Sequence, residues 1–170
     1  LWKTTNQGTT YAPLFDDEAT LSIGSIGVAD ASPDWPGWDA EDEPVAHDER
    51  AEQGRGKTVW VGTGQGHGRN SAPSGHGVYR STDQGASWTH LGLADAHDIP
   101  ALAVDPRDPD ICYVAALGHL WGANETRGIY KTSDGGATWD PVLQVDADTG
   151  ACDVAIDPNN PDTVYAAMYT

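Results

Sequence analysis

The sequence predicts an all-β repeat fold made of four-stranded antiparallel modules, and three observations carry that prediction. The first is a repeated octapeptide: Ser81-Thr82-Asp83-Gln84-Gly85-Ala86-Ser87-Trp88 returns 51 positions later as Thr132-Ser133-Asp134-Gly135-Gly136-Ala137-Thr138-Trp139. A variant, Thr4-Thr5-Asn6-Gln7-Gly8-Thr9-Thr10-Tyr11, stands near the start of the chain. The second is a short strand-like lead-in before each copy, Leu1-Trp2-Lys3, Val78-Tyr79-Arg80 and Ile129-Tyr130-Lys131, with an apolar, an aromatic and a basic residue. The third is an interleaved unit in which an apolar run meets an Asp-Pro step and a second proline before another apolar run. It occupies 101–109 with 111–116, and again 153–161 with 163–167. Repeats of this period mean a repeat architecture.

Each unit has a physical reading. In the octapeptide, Asp83 or Asp134 can accept hydrogen bonds from turn N–H groups, and Gly85 or Gly136 can take the positive φ that a tight turn demands. Trp88 or Trp139 then plugs the hairpin onto the sheet, and Asn6, Gly8 and Tyr11 fill the same places in the variant. These residues are expected to be structural. The Asp-Pro unit reads as a second hairpin, because proline fixes φ and withholds a donor, stopping the ladder on both sides. End to end, the two units make strands A, B, C and D. The spacing places them at about 99–105, 111–117, 127–132 and 138–145 in the clearest module. A stretched module covers 16–93, with an eroded A–B pair at 26–30 and 58–62 interrupted by the insert 31–57. Residues 1–15 read as the end of a preceding module, 94–145 as a whole one and 146–170 as the start of the next.

Four-stranded antiparallel modules at this spacing predict the blades of a β-propeller. A half blade, two blades and another half blade fall short of the roughly four needed to close a ring. The remaining blades are expected from a longer chain or from an oligomer.

Composition narrows the partners. Twenty-six acidic against nine basic residues give a net charge of −17, so nucleic acid is excluded for want of a basic stripe. No run is long and apolar enough for membrane insertion. Cys112 and Cys152 each sit in an apolar strand-like run and read as free buried thiols rather than a disulfide framework.

The pattern Ser/Thr-x-Asp-x-Gly-x-Ser/Thr-Trp, together with Asp105-Pro106, the 113–122 segment and Gly128-Ile129-Tyr130-Lys131, resembles the Asp-box, or BNR-repeat, propellers. It is most similar to the bacterial and archaeal sortilin-like proteins often labelled glycosyl hydrolase, with sialidases and xyloglucan-cleaving glycoside hydrolases as further relatives. The resemblance implies an extracytoplasmic, secreted interaction module that binds a peptide, a protein or a carbohydrate. The alternative it implies is a glycoside hydrolase acting on a polysaccharide, and the second alternative is a scaffold without a ligand.

In a propeller the B–C and D–A connections share one face, opposite the A–B and C–D turns, and long loops on a rigid scaffold are where ligands bind. The candidate binding residues on that face are His67, Arg69, Asn70 and His76 from one B–C loop, and His119, Trp121, Asn124 and Arg127 from the next. His97, Asp98, Asp146 and Asp148 come from the D–A connections. Two carboxylates would be needed for glycoside hydrolysis, and Glu125 with Asp146 or Asp148 is the candidate pair. The resemblance to sialidases implies a three-arginine clamp, for which only Arg69 and Arg127 are placed. No cofactor is expected, and the carboxylates of Asp146 and Asp148 offer the one candidate metal site, for calcium. The glycine-rich 62–68 segment lacks the spacing and the following helix of a nucleotide cradle. Asn124-Glu125-Thr126 matches a glycosylation sequon, and Trp35 and Trp38 are expected to anchor the insert.

So acidic a surface reads as adaptation to high salt, where screening relieves self-repulsion. Thermal melts from low to molar salt should show a steep rise in Tm, and a salt-independent Tm would contradict this reading.

Overall fold

A computed structural model describes residues 1–30, 57–66 and 73–170. Most of the insert, with Trp35 and Trp38, lies outside the described residues, as do His67, Arg69 and Asn70. Twelve strands are described: β1 (Trp2–Lys3), β2 (Ala12–Pro13), β3 (Ile23–Asp30), β4 (Lys57–Thr63), β5 (Val78–Ser81), β6 (Thr89–His90), β7 (Ala101–Asp105), β8 (Asp108–Ala116), β9 (Gly128–Thr132), β10 (Asp140–Leu143), β11 (Gly150–Ile156) and β12 (Val164–Tyr169). They form two four-stranded antiparallel sheets, β3-β4-β5-β6 and β7-β8-β9-β10, flanked by the two-stranded sheets β1-β2 and β11-β12. Every neighbour in sequence is a neighbour in its sheet. The first strands β3, β7 and β11 lie side by side from one sheet to the next. This is a segment of a β-propeller, of all-β class as the repeats predict.

The second strand of each four-stranded sheet is covered on both faces along its later residues, which explains its apolar sequence there. Along β8, Cys112, Val114 and Ala116 face a core shared with Trp60, Val78, Ile99 and Tyr130. Ala115 faces the opposite way, into a core with Ile129, Ala151 and Val154. The alternation is the period-2 rule of a strand. A third core, of Phe15, Val61 and Tyr79, lies between the first two sheets. There Phe15 meets Tyr79 and Trp88 edge-on, with ring centroids 5.1 and 5.0 Å apart, the arrangement that aromatic quadrupoles favour. Each core therefore sits between sheets, so no blade buries its apolar surface alone. Cys112 and Cys152 are free thiols; Cys112 is buried as expected, but Cys152 is half-buried, because its side of β11 lines an open cleft.

The octapeptide turns all close in the same way. In the third, the Thr132 hydroxyl donates to Asp134 Oδ1 at 2.8 Å and accepts the Gly136 N–H at 2.9 Å, while Asp134 accepts the Thr138 amide at 2.9 Å and its hydroxyl at 2.7 Å. Ser81, Asp83, Gly85 and Ser87 repeat the set. The first turn substitutes Asn6 with one reversal: Asn6 Oδ1 accepts the Thr10 amide at 2.9 Å, but Asn6 Nδ2 donates to the Thr10 hydroxyl at 2.8 Å. The threonine hydroxyl changes from donor to acceptor and the turn survives. Gly85 and Gly136 both stand at φ +93°, and a Cβ there would run into Leu14 or Leu91 of the preceding sheet.

That contact shows what the terminal tryptophan does. The indole of Trp139 donates to the Leu91 carbonyl at 2.6 Å, and Trp88 to Leu14 at 2.6 Å, so each reaches back to the sheet before its own. The basic residue of the lead-in reaches forward. Lys3 Nζ donates to the Gln84 carbonyl at 3.2 Å, and Arg80 donates to the Gly135 carbonyl at 3.2 Å, pairs with Asp110 and lies over the Trp60 ring. Neighbouring blades are thus linked in both directions through the octapeptide turn.

One expectation needs correcting. In the second copy of the Asp-Pro unit the ladder stops at Ile156 and resumes at Val164, beyond Pro161, but in the first copy the second proline does not stop it: β8 begins at Asp108, before Pro109, and Asp105 pairs directly with Asp108. The Asp105 carboxylate accepts the Arg107 amide at 2.8 Å and its guanidinium at 2.7 Å, tightening the hairpin so that pairing resumes at once. Proline is tolerated near a strand start, and the Pro109 carbonyl accepts the Trp60 indole N–H at 3.1 Å.

Hydrogen bonds from the Ser87 hydroxyl, then the Ser87 amide and the Ser81 hydroxyl, hold Asp83 well below the usual carboxylate range. The Thr138 hydroxyl and amide hold Asp134 at about 2. A depressed folded pKa means stability that is present above the ordinary value of 3.8 and lost as pH falls toward the folded value. Denaturant melts should therefore show Asp83→Ala losing about 1–2 kcal/mol at neutral pH, the scale of a lost local hydrogen-bond set. Asp83→Asn should keep most of that stability, as Asn6 does, and a double Asp83→Asn, Asp134→Asn variant should lose less than wild type below pH 3.8. An Asn variant as damaged as the Ala variant would refute the turn account.

Candidate functional site

The two turn faces of the segment differ in kind. On one, the octapeptide and Asp-Pro turns satisfy themselves. On the other, the loop between β8 and β9 meets the connections that precede β7 and β11. Leu117 donates its N–H to the Asp98 carbonyl at 2.9 Å, and Asn124 to the Ala147 carbonyl at 2.9 Å. A cleft of about 650 Å³ opens here, lined by Asp98, Leu117, His119, Arg127, Asp148 and Tyr169 among others.

Arg127 builds its wall. The guanidinium donates to the carbonyls of Leu117, of His119 at 2.8 Å and of Gly122 at 3.1 Å, so a charge-assisted fork fixes the 117–122 loop. Gly118, at φ +87°, lies against it, where a Cβ would strike the Arg127 stem. With both terminal nitrogens of its guanidinium bonded to carbonyls of its own loop, Arg127 is a positioning residue rather than a ligand clamp. Held in that loop, Trp121 projects its indole with 72% of its surface exposed, between Leu120 and Gly122 of the cleft lining.

Asn124 is buried and its amide is committed. It donates to Asp95 Oδ2 at 3.1 Å and to the Asp95 carbonyl at 3.4 Å, and its own oxygen accepts the Thr126 hydroxyl at 2.7 Å. The sequon is thereby spent inside the loop. His119 turns Nε2 to Asp95 Oδ1 at 3.3 Å and stacks its ring on His97, centroids 3.9 Å apart. His76 is placed elsewhere: Nδ1 contacts the Tyr79 hydroxyl at 3.0 Å, and the ring packs on His90 at 4.6 Å.

The candidate carboxylates separate by surroundings. Asp146 Oδ1 accepts the amides of Asp148 at 3.0 Å and Thr149 at 2.7 Å. Hydrogen bonding from Thr149, with the Asp148 amide, holds its carboxyl below the ordinary range. Its carboxylate is thus engaged by the turn that carries it. Glu125 is exposed and engages Gln144 through its backbone carbonyl at 3.1 Å. Asp148 lines the cleft, as does Asp98, which is buried and accepts the Gln65 amide at 2.8 Å.

Of the residues expected on this face, His119, Arg127 and Asp148 line the cleft, while Trp121 and Asn124 belong to the same loop but not to the lining. Sequence reading missed Asp95, a plain aspartate in an Ala-Asp-Ala-His stretch whose significance comes only from the loop that folds against it. Among the described residues, no helix is long and apolar enough to cross a membrane.

The segment defines a propeller wall with a cleft of mixed polar and apolar lining on its loop face. No protein-family model matches the chain. Over 146 residues, 81% of its length, the chain is 31% identical to a xyloglucanase of Hypocrea jecorina, and it spans 15% of that protein. Two crystal structures are also similar. An ancestral GH74 enzyme has 19% identity and a TM-score of 0.46 over 64% of this chain and 14% of its own. A GH74 enzyme of Niastella koreensis has 22% identity and a TM-score of 0.43 over 64% of this chain and 15% of its own.

Proposed function

We propose that this chain is a wall of a propeller-type glycoside hydrolase and that its loop-face cleft holds part of a polysaccharide. The carrying observation is the exposed Trp121 indole on the loop whose Leu120 and Gly122 line the cleft, in a chain 31% identical to a xyloglucanase. A flat apolar ring beside carboxylates and backbone polar groups suits a sugar, whose C–H face stacks while its hydroxyls hydrogen-bond. The chain spans a small part of that relative, so its contribution is substrate binding, with hydrolysis shared with blades outside these residues. Asp98 and Asp148 are the carboxylates facing the cleft and are better placed for a catalytic role than Glu125 and Asp146. This reading takes the polysaccharide alternative over a peptide-binding module. It also makes the protein a secreted one, since a polysaccharide substrate lies outside the cell, and the acidity an adaptation to salt.

Calorimetric titration with xyloglucan oligosaccharides should show binding that Trp121→Ala weakens tenfold or more without lowering Tm. Unchanged affinity in Trp121→Ala would overturn the stacking role. Binding of peptides but of no glycan would return the cleft to the interaction-module reading.

A further inference from the structure

Asp95, His97 and His119 meet where two blades join, and neither stabilising the fold nor stacking a sugar accounts for them. Asp95 lies in the 3₁₀ turn Ala94–Ala96, His97 caps it, and His119 comes from the loop after β8. One oxygen or nitrogen from each lies within 4.8 Å of the other two. The His119 Nε2 to Asp95 Oδ1 separation is 3.3 Å. In a tetrahedral zinc site with bonds of about 2.0–2.1 Å to imidazole nitrogen and carboxylate oxygen, neighbouring ligand atoms stand about 3.3 Å apart. One edge of such a site is therefore already at its bound length.

The surroundings orient this set. Asn124 Nδ2 holds Asp95 Oδ2 at 3.1 Å, and the Thr126 hydroxyl holds the Asp95 carbonyl at 3.0 Å, leaving Oδ1 turned to the histidine. Asn124 Nδ2 also lies 3.3 Å from His119 Nε2, so one amide stands beside both groups. Partners that aim the ligands in this way are the usual second layer of a metal site.

His97 supplies the observation that a simple Asp–His pair leaves unexplained. It is a non-glycine residue at φ 55°, ψ −56°, and Leu93, on the other side of the turn, is also left-handed at φ 56°, ψ 28°. Backbone in sparsely populated regions persists where the surroundings hold it, often at functional sites. Here that conformation stacks the His97 ring on His119 with the planes 32° apart. Among the described residues the ring makes no hydrogen bond. In this position it brings a second nitrogen, the third ligand atom, beside the other two.

We propose that Asp95, His97 and His119 form a three-ligand site for a divalent transition metal of the zinc type. Two imidazoles and a carboxylate suit such an ion better than calcium, which takes oxygen ligands. Three protein ligands leave a fourth position for water or a ligand, at the edge of the cleft that His119 lines. The net charge of −17 favours cations near the surface. The site is independent of the glycan reading, since its test uses the metal alone.

Chelator-treated chain titrated with ZnCl2 by calorimetry should bind one equivalent, with calcium binding at least tenfold weaker. Asp95→Asn, His97→Ala and His119→Ala should each weaken zinc tenfold or more, while His90→Ala, on the Tyr79 cluster, should leave it unchanged. As a measurement internal to each protein, zinc should raise Tm in wild type and His90→Ala but not in a His97→Ala, His119→Ala double variant, whatever its starting Tm. Absence of one-equivalent binding, affinity unchanged by all three ligand substitutions, or an equal loss in His90→Ala would each overturn the proposal.

Discussion

The rest of the structure depends on the hydrogen bond from the Trp139 indole to the Leu91 carbonyl, and on its equivalent from Trp88 to Leu14. A propeller sheet is apolar on both faces and buries them only against its neighbours, so each junction must be registered. The octapeptide turn does this from one place. Its carboxylate and hydroxyls fix the turn, its glycine allows Leu14 or Leu91 to close in, its tryptophan bonds backwards, and its carbonyl at Gln84 or Gly135 receives the lysine or arginine of the previous blade. An aspartate that looks catalytic by composition is thereby a hinge pin between blades.

Much of this was legible in the residues. The octapeptide, its aromatic-basic lead-in and the Asp-Pro unit placed the four-stranded order, because turn chemistry and period-2 apolar runs are local properties. The direction in which Trp139 points was not legible, since the bond leaves its own module for a carbonyl 48 residues earlier. Pro109 misled for a related reason: its ring does favour a ladder stop, but the Arg107–Asp105 contacts tighten the hairpin and pairing resumes beside it.

The site was legible as a face, less so as a set of roles. Loop position grouped His119 and Asp148, which line one cleft, with Trp121 on the loop between them. Roles depend on contacts: Arg127 is consumed by its own loop's carbonyls, Asp146 by two amides, and Asn124 by Asp95. The Trp121 ring is 72% exposed, and Asp98 and Asp148 line the cleft beside the Asp95–His97–His119 group. All of these lie at blade junctions, where loops from successive modules are brought together, so the links that hold the blades in register also set the geometry of the site.

The most direct measurement is backbone hydrogen exchange in Trp139→Phe, which keeps an aromatic ring and removes the N–H donor. If the indole pins the preceding blade, exchange should accelerate at the Leu91 and Val78 amides, which pair with Val78 O and Gly92 O across β5–β6. Acceleration confined to β9 and β10, the variant's own hairpin, would contradict the account.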